Sequence, residues 1–475
     1  MAPTPGTGLA WGRNTFGQSG SGTNIESNVP VEVDLPEGTM IIAIAGGLNH
    51  TLALTSTGTV LAWGYNIYGQ LGNGTNTDSN VPVEVDLPEG QIATAIAAGG
   101  DDSFAFTSSG ALLAWGENSY GQLGNGTRTS SNVPVDVDLP EGTTVTAVAA
   151  GITHSLALTS TGTVLAWGSN GFGQLGNGTN IDSNTPVQVD LPGGSTAIAI
   201  AAGGYHSLAT TSIGTVLAWG YNIYGQLGNG TNTDRNTPVQ VDLPQGTRIT
   251  GITSGVYHNL ASTSAGGLLA WGLNMFGQLG NGTNADNKAP AEVDLPAGTS
   301  ITAAFAGGYH SLALTSSGTI LAWGFNFYGQ LGDGTNTDSN SPAQVNWPER
   351  TTVVAISAGG VHSLAIAAPV VPASSTAVQV SPSNPRPGKE IRFDATVTCN
   401  VGTPTGTVTF LDGTTTLGTA TLSGSPTATA ALTVPKLSLG SHDILARFAA
   451  DGTCPASESN PIHIAVAPPR TKMLR

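Results

Sequence analysis

The stretch Leu-Ala-Trp-Gly-Tyr-Asn-Ile-Tyr-Gly-Gln-Leu-Gly-Asn-Gly (residues 61–74) decides how this chain reads. Its Leu-Ala-Trp-Gly opening returns every 52 residues, at Trp11, Trp63, Trp115, Trp167, Trp219, Trp271 and Trp323. Repetition at a fixed period of this length indicates a solenoid or a propeller. Positions that never change between copies hold the fold. Positions that change are the candidates for function.

One unit contains four short runs: residues 81–90, 93–100, 103–107 and 111–116. Gly, Pro or Asp-rich turns bound each run, which is the signature of strands. No window carries a long helical period. Four strands in each of seven units predict an all-β, seven-bladed propeller whose blades bury their faces against one another. The chain begins with a lone fourth strand, residues 8–12, and leaves the array after a third strand, residues 361–366. Pairing these two strands would close the ring and remove two exposed sheet edges.

Charged residues make up only 9% of the 475 residues, and the net charge is −16. Up to residue 368 there are 24 acidic and 6 basic side chains; beyond it there are 6 and 8. So acidic a body repels phosphate backbones, so neither nucleic acid nor an anionic membrane is expected as a partner. No apolar run is long enough to span a bilayer, and no membrane insertion is expected. The first residues lack the basic and apolar regions of a signal peptide. Low lysine and high Thr, Asn and Gly content favour an exported protein at the cell surface or outside the cell, with the cytoplasm as the alternative.

Trp-Gly-Tyr-Asn-Ile-Tyr-Gly-Gln-Leu-Gly-Asn-Gly (63–74) and Ala-Gly-Gly-Tyr-His-Ser-Leu-Ala-Leu (306–314) resemble the repeats of the regulator of chromosome condensation family. The resemblance covers residues 8 to about 367 and independently implies a seven-bladed propeller. It also implies a guanine-nucleotide exchange factor-like regulator as one functional alternative. Against that alternative, no blade carries a long insertion and no basic tail is present.

The chain divides into a propeller over 1–368, a Pro/Ala/Ser-rich linker over 369–375, a second domain over 376–468 and a tail over 469–475. In the second domain, segments such as 391–398 and 406–410 alternate with period two. About seven short strands predict a β-sandwich. Gly-Thr-Pro-Thr-Gly-Thr-Val-Thr-Phe-Leu-Asp-Gly (402–413) resembles bacterial immunoglobulin-like repeats of surface and secreted proteins. Cys399 and Cys454 are the two cysteines. A disulfide between them would fit an oxidising compartment, while two free thiols also fit the sequence.

Several patterns that invite a chemical reading have structural ones. The loop 69–75 is glycine-rich but lacks the Lys-Ser/Thr ending of a phosphate loop. Asn73, Asn76 and Asp78 have calcium-loop-like spacing, but tight calcium sites need several carboxylates. His50, His154, His206, His258, His310 and His362 each open the same strand of successive blades. They are therefore spread around the ring and are read as structural. The chain is not read as an enzyme, and no cofactor or metal is expected.

The third and fourth runs of a unit form a hairpin, so the start of one lies beside the end of the other at one mouth of the ring. Those ends hold the residues that vary. Three consecutive blades contribute Tyr205, Tyr221 and Ile223; Tyr257, Leu273 and Met275; and Tyr309, Phe325 and Phe327. Another blade contributes Asp101, Asp102 and Glu117, with Asp102 at the usual histidine position. Such an aromatic crescent either forms an interaction surface or folds inward to plug the channel. The leading expectation is a monomeric, non-catalytic protein-binding propeller that uses this face. A carbohydrate-binding adhesin recognising a cell-wall glycan is the alternative.

Overall fold

The structure, a computed structural model, describes residues 6–348, 351–369 and 372–468. Part of the 369–375 segment and all of the 469–475 tail lie outside the described residues. The chain divides into two compact units, Met1–Ala368 and Pro369–Arg475.

The first unit contains seven four-stranded antiparallel sheets. Its first six strands are β1 (Thr7–Gly12), β2 (Ser27–Glu32), β3 (Ile41–Gly46), β4 (His50–Thr55), β5 (Val60–Gly64) and β6 (Ser79–Glu84). The order β3-β4-β5-β6 makes one complete blade, with β3 innermost. Every β4- and β5-type strand is almost wholly buried, because its two faces pack against two neighbouring blades.

The Val-Pro-Val run belongs to a different sheet from the one its place in the sequence unit implies. It pairs with the strand before it: β6 returns antiparallel onto β5, with Ala62 opposite Val83. The unit read along the sequence therefore straddles two blades. Closure follows suit. β1 pairs with His362–Pro369 over six registered residue pairs, as the sequence implied. β2 then adds outside β1, so the closing blade takes two strands from each end of the array. The reason is local: the Gly-rich loop turns the chain back onto its own sheet, and the crossing to the next blade comes after the Leu-Pro segment.

A polar relay repeats at each seam. Trp63 Nε1 donates to the Gln18 carbonyl of the preceding blade at 2.9 Å, and the other six tryptophans make the same bond. The Thr51 hydroxyl donates to that same carbonyl. Gly72 is required here. Its φ is +65°, and an added Cβ would lie 2.7 Å from Trp115 Nε1.

The ring encloses a channel of about 290 Å³ lined by Ala and Gly of the inner strands. At one end the backbone forms a closed belt. Leu48 donates its N–H to Gly100, Gly100 to Gly151, Ile152 to Gly204, Gly204 to Val256, Val256 to Gly308, Gly308 to Gly360 and Gly360 to Gly47. Leu48, Ile152 and Val256 line the channel there, whereas none of the Tyr or Phe side chains of the crescent does.

The second unit is a sandwich. Strands Ser374–Ser381, Ile391–Cys399 and Ala428–Val434 form one sheet, and Thr407–Asp412, Thr415–Thr421, Gly440–Phe448, Ser457–Glu458 and Ile462–Val466 form the other. Phe393, Phe410 and Phe448 fill the space between the sheets. A disulfide joins Cys399 to Cys454, with Cα atoms 6.0 Å apart.

Candidate functional site

The two variable segments of every blade meet at one mouth. Tyr65 donates its N–H to the Asn49 carbonyl, and the same bond joins Glu117 to Asp101, Ser169 to Thr153, Tyr221 to Tyr205, Leu273 to Tyr257, Phe325 to Tyr309 and Arg13 to Val361. Gly64 permits this exit. It has φ +104°, and a Cβ would stand 2.6 Å from the Asn49 carbonyl oxygen.

The rings form one continuous belt. Tyr205 stacks on Tyr257 at 5.9 Å between centroids, and Tyr257 meets Tyr309 at 6.3 Å. Phe325 and Phe327 stack at 6.5 Å. Ile223, Met275 and Phe327 are exposed, while Tyr205, Tyr221, Tyr257, Tyr309 and Phe325 are partly buried. Leu273 is only 5% exposed, so its side chain is not available as the contact residue the sequence implied.

The aromatics at the Tyr68-type position recur in every copy, so variation between blades does not single them out. They belong to the belt. Phe172 packs on Tyr221, Phe276 on Phe325 and Phe16 on Tyr65, each at 4.7 Å and each across a blade seam. Tyr224 meets Tyr257 at 5.3 Å. Arg13 bridges Tyr328 and Phe16, with its guanidinium 5.3 and 5.2 Å from the two ring centroids. The contact therefore runs from Phe172 round to Tyr68. The 49-residue spacing that links these pairs was visible in the sequence. It gains meaning only once adjacent blades are seen to lie side by side.

The acidic blade follows Tyr65 and Tyr68. Gln70 Nε2 donates to Asp101 at 3.1 Å. Burial, with the Glu117 charge adding to it, pushes the Asp101 carboxyl up to about 6. Burial also raises Glu117. Asp102 is 1% exposed and no side chain hydrogen-bonds its carboxyl. Burial raises it well above the ordinary carboxylate range, and Asp101 and Glu117 add to the effect. Asp102 is therefore not a contact residue. It occupies the buried position that histidine fills in the other blades.

The six histidines are structural, and their tautomer follows from their partners. Ser103 gives its only proton to the Gln70 carbonyl, so it must accept from His50 Nε2–H at 2.9 Å. The same holds for His154–Ser207, His258–Ser311, His310–Ser363 and His362–Thr51. His206 donates to the Asn259 side-chain oxygen. Burial lowers five of these imidazoles to about 3 and His206 to about 4, so all six are neutral near pH 7. Among the described residues, no group of three or more His, Cys, Asp or Glu is arranged to hold a metal.

With this geometry in hand, residues 7–365 match the model of the RCC1-like domain. The chain belongs to the RCC1-like family. Residues 378–467 match the bacterial Ig-like domain (group 3). The RCC1-like unit is similar to the ultraviolet-B receptor UVR8 of Arabidopsis thaliana, with 34% identity over 69% of this chain and 74% of the receptor. It is also similar to the secretion-regulating guanine nucleotide exchange factor of Mus musculus, with 30% identity over 75% of this chain and 83% of that protein. Yeast RCC1 (Prp20), solved bound to Kap60, shares the fold: TM-score 0.70, 24% identity, 78% of this chain and 90% of that one.

Proposed function

We propose that the RCC1-like ring is a non-catalytic recognition module that binds a protein partner through the aromatic belt on this mouth. The continuous ring-to-ring contact across successive blades carries the reading. Tyr and Phe are enriched at protein interfaces, and they bring large, rigid contact area at small entropic cost. Exposed Ile223, Met275 and Phe327 extend the same apolar surface. The bacterial Ig-like domain supports a place outside the cell or at its surface, as does the disulfide. No helix among the described residues is long and apolar enough to cross a membrane.

The test replaces Tyr257, Phe325 and Phe327 together with alanine and compares capture of partners from native extract. Loss of central aromatic anchors weakens binding by about 30-fold or more. Capture that survives in a variant with unchanged melting would refute the belt as the site. The relative that is an exchange factor makes nucleotide release the competing assay. Acceleration of release from a small GTPase would replace this reading.

A further inference from the structure

At one seam, termed the notch, the repeat places the same pair of aromatic positions as around Arg13, with a carboxylate at the Arg13 position. Arg13, Tyr65, Glu117, Ser169, Tyr221, Leu273 and Phe325 are equivalent positions, 52 residues apart. Each follows its strand and is tied to the neighbouring variable segment by the same backbone bond. In three blades the residue here is a ring packed on the preceding blade's aromatic. In the closing blade it is Arg13, held between Tyr328 of the preceding blade and Phe16 of its own.

In the acidic blade the equivalent trio is Tyr68, Glu117 and Tyr120. No ring fills this notch. Tyr68 and Tyr120 stay 38% and 42% exposed, and Tyr120 has no aromatic neighbour among the described residues. Asp101 adjoins, joined to Glu117 through the backbone. Among the described residues no Lys, Arg or His forms an ion pair with Asp101, Asp102 or Glu117. The chain thus places two tyrosines, and carboxylates with no ion pair among the described residues, at the positions where, two blades away, the equivalent rings hold a guanidinium. A cation in this place gains both ring-face attraction and charge pairing.

We propose that this notch receives an arginine or lysine side chain of the partner polypeptide, held against Glu117 and Asp101 between Tyr68 and Tyr120, while apolar residues next to it lie on the Tyr65 end of the belt. The proposal rests on the reading of this mouth as the protein-binding face. It narrows the partner to a segment with a cation flanked by apolar residues, in accord with the acidity of the whole array.

The probes are two labelled peptides, Ac-Phe-Leu-Arg-Leu-Phe-amide and its citrulline counterpart, which keeps the shape and removes the charge. Fluorescence anisotropy with the full chain should give at least about tenfold tighter binding of the arginine peptide. Glu117→Gln with Asp101→Asn should abolish that preference, and 0.5 M salt should shrink it. Equal binding of both peptides, binding of neither, or a preference that survives in the double variant overturns the proposal. So does a dimer in sedimentation that the double variant dissolves, since a second copy's Arg13 would then be the occupant. The alanine triple in the belt separates the two readings. If it spares partner capture while the arginine preference persists, the belt reading fails and the notch stands. If it abolishes capture while the peptides bind alike, the reverse holds.

Discussion

Replacing Asp102 with histidine should complete a belt that is broken at one seam. Six blades donate an imidazole N–H to a Ser, Thr or Asn of the next blade, and Ser155 is the acceptor left without one. The introduced imidazole gains a buried hydrogen bond, worth about 1 kcal/mol net. It also exchanges the buried Asp102 carboxyl for an imidazole whose Nδ1 is buried without a partner, as in the other six blades, so most of the desolvation gain is offset. The expected gain at pH 8 is therefore about 1–2 kcal/mol. For a unit of this size the unfolding entropy is about 0.8 kcal/mol/K, so the melting temperature should rise by roughly 1–3 °C.

The pH dependence sharpens the test. A raised carboxyl favours folding below its unfolded pKa of 3.8, and that contribution is lost as pH rises towards the folded-state value. A neutral buried imidazole behaves oppositely and loses about 1.4 kcal/mol per pH unit below 6.5. Between pH 8 and pH 5 the advantage of the variant should therefore shrink by at least about 2 kcal/mol. Calorimetry at both pH values checks this, and adding Ser155→Ala should remove the hydrogen-bond share of the gain. A lower melting temperature at pH 8, or a gain identical at both pH values, would refute the assignment of Asp102 to the histidine belt.

The six histidines should make the ring acid-labile. Their folded-state values of about 3 to 4 lie below 6.5, so stability present above pH 6.5 is lost as the pH falls. Six groups against the opposing Asp101 and Asp102 give about 5–8 kcal/mol lost between pH 7.5 and 5.5. A sharp drop in melting temperature over that interval, read by the fluorescence of the buried tryptophans, is the expected result. Trp63→Phe removes the Nε1 bond to the Gln18 carbonyl and should cost about 1–2 kcal/mol, measured by chemical denaturation. Removal of residues 1–32 deletes both closing strands and should unfold the whole ring in one transition. A truncated chain that melts like the intact one would refute closure by β1 and β2. Phe393→Ala should destabilise the sandwich by roughly 3–5 kcal/mol, seen as a separate calorimetric shift.

Much of the fold was open to a reader of the sequence. A motif repeated at a fixed spacing must repeat its backbone, and short apolar runs between Gly and Pro turns admit only strands. The wrong assignment of the Val-Pro-Val run shows where this stops. Sequence order says which strands exist, while hydrogen bonding decides which sheet each joins. The same limit applied to the site. Tyr205, Tyr257 and Phe325 stood out because they vary, whereas Phe172, Tyr224, Phe276 and Tyr328 occupy a position that is aromatic in every copy. Asp102 stood out as a lost histidine, yet its burial was invisible until the seam around it was in view.

The sequence by itself determined the number of blades, the closing pair of strands and the segments that differ between them. Tertiary structure alone decided that rings 49 residues apart touch, that Asp102 lies beneath the surface, and that Arg13 lies between two rings while Glu117, at the equivalent position, forms no ion pair among the described residues. The physical reason is that local pattern sets backbone conformation, but contact between blades depends on side chains brought together by closing the ring.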